Sequence, residues 1–479
     1  MKLPALLMAA AGALALGACD QLPGALSGGG GGGEAYEPEL PPKDPYPSTY
    51  QAYPSETVLI RGATVLDGAG RRIDGGAVLI RDGRIAAVGA DLEAPDGATI
   101  VEAEGKWVTP GVIDIHSHLG VYPSPGIAST SDGNELTAPA TPEVWAEHSV
   151  WPHDAGFTRA LAGGVTAMQI LPGSGNLFGG RSVVLKNVPG RTVQEMKFPG
   201  APYGLKMACG ENPKRVYGGR NRSPATRMGN MAGYRAQWIK AQDYKRKWDD
   251  YIKKAERGEK ADPPSRDLAL ETLAGVLSGE ILINMHCYRA DEMVQVIDMA
   301  EEFGYKVTTF HHAVESYKVR DILAENGICS AMWADWWGFK LEAYDHVPEN
   351  AAMVHAAGAC AIIHSDSGEG IQRLNQEAAK AMYDGQAAGF DTPPEEAIAW
   401  ITSNPARAMG VGDQTGSLEP GKMADVVIWS RNPFSVYAQA ERVYIDGALL
   451  YDRNDPARSP RMDFELGQAG NDNTGGAGQ

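Results

Sequence analysis

The segment Asp114-Ile115-His116-Ser117-His118 holds two histidines two positions apart. In an extended strand alternate side chains share a face, with Cα atoms roughly 6.5 Å apart at i and i+2, so both imidazoles can converge on one cation. Further groups able to bind a cation or move a proton follow far along the chain: Lys206 in LKMACGEN, His286 in INMHCYRADE, His311 or His312 in TFHHAVESYK, and Asp366 in AIIHSDSGEG. Each closes a short strand-like run. A lone His-x-His pair also occurs among core histidines, but polar residues ending one strand after another are what a metal centre requires. Adjacent strand residues face opposite ways, so the pattern predicts that only one of His311 and His312 looks inward while the other packs outward against helices.

The elements that must position these groups alternate. GVIDIHSH, GGVTAMQIL, RSVVLK, YGLKMACG, ILINMHC, KVTTFHH, ICSAMWA and CAIIHSD read as strands, separated by segments of helical periodicity such as ADEMVQVIDMAEEFG and VRDILAENG. His118 and Asp366 lie 248 positions apart, a length that suits a (β/α)8 TIM barrel of about 250 residues. The barrel is expected over 111–411, and its C-terminal mouth is where such barrels carry chemistry. An open doubly wound sheet is disfavoured, because no Gly-rich dinucleotide fingerprint follows the first strand. The flanking segments 55–110 and 412–453 are β-branched runs broken by turns, with Asp82-Gly83 and Asp446-Gly447 as hairpin signals. Neither end alone has enough strands to bury a face, so one small β-sandwich built from both chain ends is predicted. The 80 positions between Lys206 and His286 exceed a plain helical crossover, and Tyr234 to Lys254 reads as an inserted helix with a solvated face rather than a lid.

Across 479 residues, 43 Lys plus Arg stand against 60 Asp plus Glu, a net charge of −17 with a pI near 5.1. Such a field repels polyanions and excludes nucleic acid as a partner. The 43% hydrophobic and 8% aromatic content supplies a large core and excludes global disorder. Residues 1–18 read as a signal peptide, with Lys2 ahead of an apolar run too short to span a bilayer. Leu16-Gly17-Ala18-Cys19 resembles a bacterial lipobox, which makes Cys19 the expected lipidation site. Residues 19–54, with Gly28 to Gly33 and a Pro-rich stretch, read as a flexible tether. The expectation is an exported lipoprotein on the periplasmic side of a bacterial membrane, membrane-held through its N-terminal lipid anchor. Cys209, Cys287, Cys329 and Cys360 show no framework spacing and read as buried reduced thiols. Residues 454–479 read as a disordered tail.

TPGVIDIHSH, a histidine ending the fifth barrel strand, another ending the sixth and Ser-Asp ending the eighth together resemble the amidohydrolase superfamily. The likeness is greatest to its imidazolonepropionase-like and prolidase-like members and runs from about Val58 to Arg453. It implies a metal-dependent hydrolase with one or two divalent ions, usually zinc and here two, on His116, His118, His286, His312 and Asp366. His312 fits the family pattern better than His311, being followed by Ala-x-Glu and then Tyr-Lys. In two-metal members a lysine ending the fourth strand is carboxylated and bridges the ions, and Lys206 matches that position. Asp366 is implied as a metal ligand and as the proton shuttle from activated water to the leaving nitrogen. Ring deaminases of the superfamily carry an acidic residue three positions after the fifth-strand histidine, where this chain has Arg289. The implied reaction is therefore hydrolysis of amide carbon–nitrogen bonds in small molecules such as dipeptides or N-acyl amino acids, by a metal-activated hydroxide. A mononuclear cyclic amidohydrolase or deaminase is the alternative, and a non-catalytic binding lipoprotein a second. For substrate binding, the backbone amides of Pro172 to Asn176 could receive a carboxylate, and Arg220, Arg222, Tyr288 and Arg289 could clamp one. Self-association as a homo-oligomer is left open.

Overall fold

The structure is a computed structural model that describes residues 36–458. The expected signal peptide, Cys19 and the greater part of the expected tail lie outside the described residues.

Among the described residues, two eight-stranded sheets organise the chain. The N-terminal part supplies β1 (Val58–Leu66), β2 (Arg72–Arg81), β3 (Arg84–Gly89), β4 (Thr99–Glu102) and β5 (Trp107–Pro110). The central part supplies β6 (Val112–Ser117), β7 (Val165–Ile170), β8 (Phe178–Lys186), β9 (Gly204–Ala208), β10 (Leu282–Cys287), β11 (Val307–His312), β12 (Cys329–Met332) and β13 (Cys360–Ile363). The C-terminal part returns β14 (Val426–Trp429), β15 (Ala440–Ile445) and β16 (Ala448–Asp452).

β14 pairs antiparallel with β5, joining the chain ends in the order β16-β15-β14-β5-β1-β2-β3, with β4 paired to β1. Val58, Ile60, Ile80, Val108, Ile428 and Tyr444 share one buried cluster, so strands from both ends enclose a common apolar core. Asp82-Gly83 and Asp446-Gly447 are the turns of the β2–β3 and β15–β16 hairpins, and all four residues have positive φ. That is the two-residue turn whose twist suits antiparallel strands.

The barrel strands follow in sequence order from β6 to β13. They depart from an all-parallel barrel at one place, because β8 runs antiparallel to both β7 and β9. Only the Leu171–Leu177 connection lies between β7 and β8, and a parallel return needs a crossover of a dozen residues or more. The barrel is drawn shut where the ends of β6 and β13 meet. Ser365 N–H donates to Asp114 Oδ1 (3.2 Å), Ser365 Oγ to Asp114 Oδ2 (2.5 Å), and Asp366 N–H to the His116 carbonyl (3.0 Å).

Three expectations are revised. The long helix between β9 and β10 runs Arg227–Glu256, beyond the expected Tyr234 to Lys254, and besides the expected solvated face it carries a buried one. It buries Tyr234, Trp238, Ala241 and Tyr244; Tyr234 Oη donates to the Ala208 carbonyl, and Trp238 packs edge-on against Phe178 and beside Tyr305. The sequence texture is charged because three sides of that helix remain wet while one aromatic stripe seals the barrel wall. Residues 36–54, expected as part of a free tether, lie along the body. Tyr36 meets Tyr251 (3.1 Å), Asp44 pairs with Lys197 (3.0 Å), and Thr49 N–H donates to the Gln194 carbonyl (3.0 Å). Tyrosine rings and hydroxyls supply the burial and hydrogen bonding that a Gly/Ser linker lacks. The four cysteines form two disulfides, Cys209–Cys287 and Cys329–Cys360, rather than free thiols. Sequence separations of 78 and 31 follow no framework spacing because each bond staples neighbouring barrel strands; Cys329 and Cys360 are register partners in the β12–β13 pair.

Trp238→Ala should cost about 3–5 kcal/mol of stability, whereas Ile239→Ala next to it, at a side chain 59% exposed, should change it by less than about 0.5 kcal/mol. Denaturant unfolding of both variants checks the pair; equal losses would contradict the packing of this helix.

Candidate metal centre

The C-terminal ends of β6, β9, β10, β11 and β13 bring together His116, His118, Lys206, His286, His312 and Asp366. One ligand atom each of His116, His118 and Asp366 lies within 4.8 Å of the others. Asp366 Oδ1 is 3.1 Å from His118 Nε2 and 3.5 Å from His116 Nε2. Its other oxygen is 4.0 Å from His312 Nδ1. Lys206 Nζ stands 3.1 Å from His116 Nε2. The His286 and His312 rings meet edge to face, centroids 4.5 Å apart. His118 Nδ1 lies 2.8 Å from the Leu171 carbonyl, an outer contact of the kind that orients many metal-binding histidines.

His311 and His312 correct the expectation that one of them packs outward. Both are buried and both rings pack on His116, with centroids 4.8 Å and 4.9 Å from it. His311, register partner of His286, obeys strand alternation, with Nδ1 2.9 Å from His116 Nδ1 and Nε2 3.0 Å from Asn284 Oδ1. His312 then escapes alternation, because its φ is +70° and Ala313 follows at +40°. Asp366 also sits in left-handed backbone, at φ +51°. Such conformations are costly for residues with a side chain, and they gather here at two of the groups that form the centre.

His364 was not singled out from the sequence. It stacks on His116 with centroids 5.0 Å apart and forms a second group of close ligand atoms with His116 and His312. Its signal was its place two residues before Asp366, on the same run.

Buried imidazole nitrogens without partners test whether a cation fits. His286 Nδ1, His312 Nδ1 and both nitrogens of His364 have no hydrogen-bond partner among the described residues, and a buried polar atom left so is destabilising by about 1–3 kcal/mol. Neutral nitrogens and a carboxylate converging on one space form a donor set suited to zinc or a similar divalent ion. Burial pushes the His116, His286, His311 and His312 imidazoles well below the ordinary histidine value, with neighbouring positive charge adding to the effect, and pushes His364 down to about 3. These histidines therefore stay unprotonated, as ligands must. Burial also lowers the Lys206 ammonium to about 8. Asp366 behaves differently: burial opposes its ionisation, but the hydrogen bond and charge of His118 outweigh that and hold the carboxyl below its usual range.

The sequence-predicted substrate groups divide. Tyr288 lines the cavity of about 690 Å³ over the centre, together with His286, Trp333, Lys340 and Asp366. Arg220 and Arg222 do not line it; each donates to a backbone carbonyl, of Leu136 (2.7 Å) and Thr137 (2.6 Å), and so ties down a neighbouring loop. Arg289 turns to Asp291 with two bonds of 2.9 Å. The amides of Gly173 and Gly175 are not free for a carboxylate, being used by Gly133 and Asn134.

In the unfolded chain these histidines titrate near 6.5. Below that value the unfolded state holds protons that the native one excludes, so stability should fall as pH drops through about 6.5. Asp114 opposes this, because burial raises it to about 7 despite its bonds from Ser365 and His116, and the stability it contributes fades as pH rises toward that value. Five histidines outweigh one carboxyl. The Tm of chelator-stripped protein should therefore fall between about pH 7 and pH 5.5; a flat or rising Tm would contradict burial of neutral imidazoles.

Residues 107–450 match the amidohydrolase family. The amidohydrolase tasK of Hapsidospora irregularis is 33% identical over 397 residues, 79% of this chain, and the chain spans only 40% of that relative's length. The imidazolonepropionase of Mesorhizobium japonicum is 26% identical over 80% of this chain and 92% of its own. A solved amidohydrolase structure from Thermotoga maritima superposes with a TM-score of 0.75 at 38% identity, covering 83% of this chain and all of the other. With the barrel, the order of its polar strand ends and a match across most of the chain in agreement, this protein belongs to the amidohydrolase family.

Proposed function

We propose that this protein hydrolyses the amide bond of small molecules such as dipeptides or N-acyl amino acids, at a centre where two zinc ions would be held by histidines, Asp366 and a carboxylated Lys206. The observation that carries the reading is the gathering of His116, His118 and Asp366 within 4.8 Å, with Lys206 beside them. His116, His118 and Asp366 would hold one ion, His286 and His312 the other, and His364 stands close enough to His116 and His312 to contribute. When bound, such ions supply Lewis acidity toward a carbonyl and make a water acidic near neutral pH.

The chain's own groups do the rest. Asp366 Oδ1 is the natural proton acceptor: it is ionised, partly open to the cavity, and aimed by the bond from its own N–H to the His116 carbonyl. The same oxygen can return that proton to the leaving nitrogen, as general acid–base catalysis requires. Lys206 at about 8 has an appreciable neutral fraction near physiological pH, and only a neutral amine takes up carbon dioxide. Tyr288 and Trp333 line the cavity and belong to one small buried apolar cluster with Val314 and Ala343. No carboxylate occupies the place three residues past His286, where Arg289 turns to Asp291, which favours amide hydrolysis over ring deamination.

We place the protein outside the cytoplasm, lipid-anchored through Cys19. Two disulfides support that, since such bonds persist mainly in oxidising compartments.

Zinc-loaded protein should contain close to two ions per chain, and Lys206→Ala should lower this to about one. Asp366→Asn should reduce kcat on a cleaved dipeptide by about 10²–10⁴-fold. Elemental analysis alongside steady-state kinetics checks both; native protein holding one ion, unmoved by Lys206→Ala, would contradict a binuclear centre.

A further inference from the structure

The cavity above the centre has two unlike walls. One is aromatic: Trp333 stacks on His312 with centroids 4.3 Å apart, Trp336 stacks on Trp333 at 5.1 Å, and Phe339 meets Trp333 edge-on at 5.7 Å. Trp336 and Phe339 remain 38% and 57% exposed, which is apolar surface without a cover. The facing wall is polar. Lys340 Nζ lies 3.8 Å over the Tyr288 ring and 3.3 Å from Asn212 Oδ1, and Asn212 Nδ2 lies 3.4 Å from His286 Nε2 and 2.9 Å from Ser174 Oγ.

Lys340 makes one long ion pair, 3.5 Å to Oε2 of the buried Glu342, whose Oε1 is taken by Arg227 and by the Glu211 N–H (2.8 Å). An ammonium has three donors, so that single contact leaves it able to take a further acceptor. Arg215 adds a second cation to the same wall, opposite the charge of Glu211. The side chain of Lys340 is only 13% exposed. An ammonium held this dry, over an aromatic face and beside an amide that reaches the centre, is placed to receive an anion.

We propose that Lys340 and Asn212 hold the free carboxylate of the substrate, and that Trp336 and Phe339 cover the side chain of the same amino acid. The substrate class is thus an N-acyl or N-aminoacyl derivative of an aromatic or bulky apolar amino acid with its carboxylate unblocked. In such a molecule the carboxylate is separated from the scissile nitrogen by one carbon. That matches a polar wall whose Asn212 touches both Lys340 and His286. This rests on the amide-hydrolase reading and adds to it which amides are cleaved.

The test compares kcat/KM of zinc-loaded full-length protein on Ala-Phe, Ala-Phe-NH2 and Ala-Ala. Native protein should favour Ala-Phe over its carboxamide by about 30-fold or more, the scale of a charge-assisted bond. Lys340→Met should bring that ratio to within about threefold, and Lys340→Arg should keep it above about tenfold. Phe339→Ala should reduce the Ala-Phe over Ala-Ala preference by about tenfold. Because each readout is a ratio on one preparation, losses of folded protein cancel. Amide cleavage with no carboxylate preference, or a preference that Lys340→Met leaves in place, overturns this inference and leaves the amide hydrolase intact. Cleavage of none of the three overturns the hydrolase reading along with it.

Discussion

Asp114 is the anchor on which the centre depends. Wholly buried, it accepts from the His116 N–H on its own strand and from both the N–H and the hydroxyl of Ser365 on the last barrel strand's continuation. Those bonds join the first and last strands where the sheet would otherwise have two edges, and the Asp366 N–H to His116 carbonyl bond completes the seam. A barrel without edges keeps its strand ends in fixed register. Only then can an aspartate and two histidines some 250 positions apart be held to within a few ångströms of one another. The three donors offset only part of the cost of burying that carboxylate, which is why it stays raised.

Around this seam, two further sets of contacts join the barrel to the elements packed on it. Arg227, at the start of the long helix, reaches both Glu292 (2.8 Å) and Glu342, binding the aromatic loop to the barrel wall. On the other side, Lys186 in β8 pairs with Asp446 (2.9 Å), which also accepts from Tyr50. One buried ammonium thus connects the barrel, the Asp446-Gly447 hairpin of the end sheet and the N-terminal strap. Removing one partner of such a cluster would leave an uncompensated buried charge, so these contacts specify how the pieces meet more than they add net stability.

Much of this was legible because it is periodic or punctuated. Alternation exposed the barrel strands, Asp-Gly turns marked the hairpins, and polar residues at the ends of apolar runs marked His116, His118, Lys206, His286 and Asp366. What stayed hidden was of another kind. The inward turn of His312 is a backbone event, a positive φ that no strand pattern encodes. His364 was visible as a residue but read as part of the strand carrying Asp366. The disulfides join cysteines that are distant in sequence and adjacent only once the barrel has formed. The reversed β8 could have been read from its connection, since PGSGN is too short for a crossover. Lys340 and the aromatic wall lie on a loop after the seventh barrel strand, where composition says little about which way a side chain faces.

X-ray diffraction from zinc-loaded crystals at the zinc absorption edge tests whether these residues converge to bind metal. Anomalous peaks are expected at the barrel mouth within about 2.0–2.2 Å of His116, His118 and Asp366 atoms, with a second peak beside His286 and His312. Peaks confined to surface residues, or a mouth without anomalous signal in crystals that hold zinc elsewhere, would contradict it.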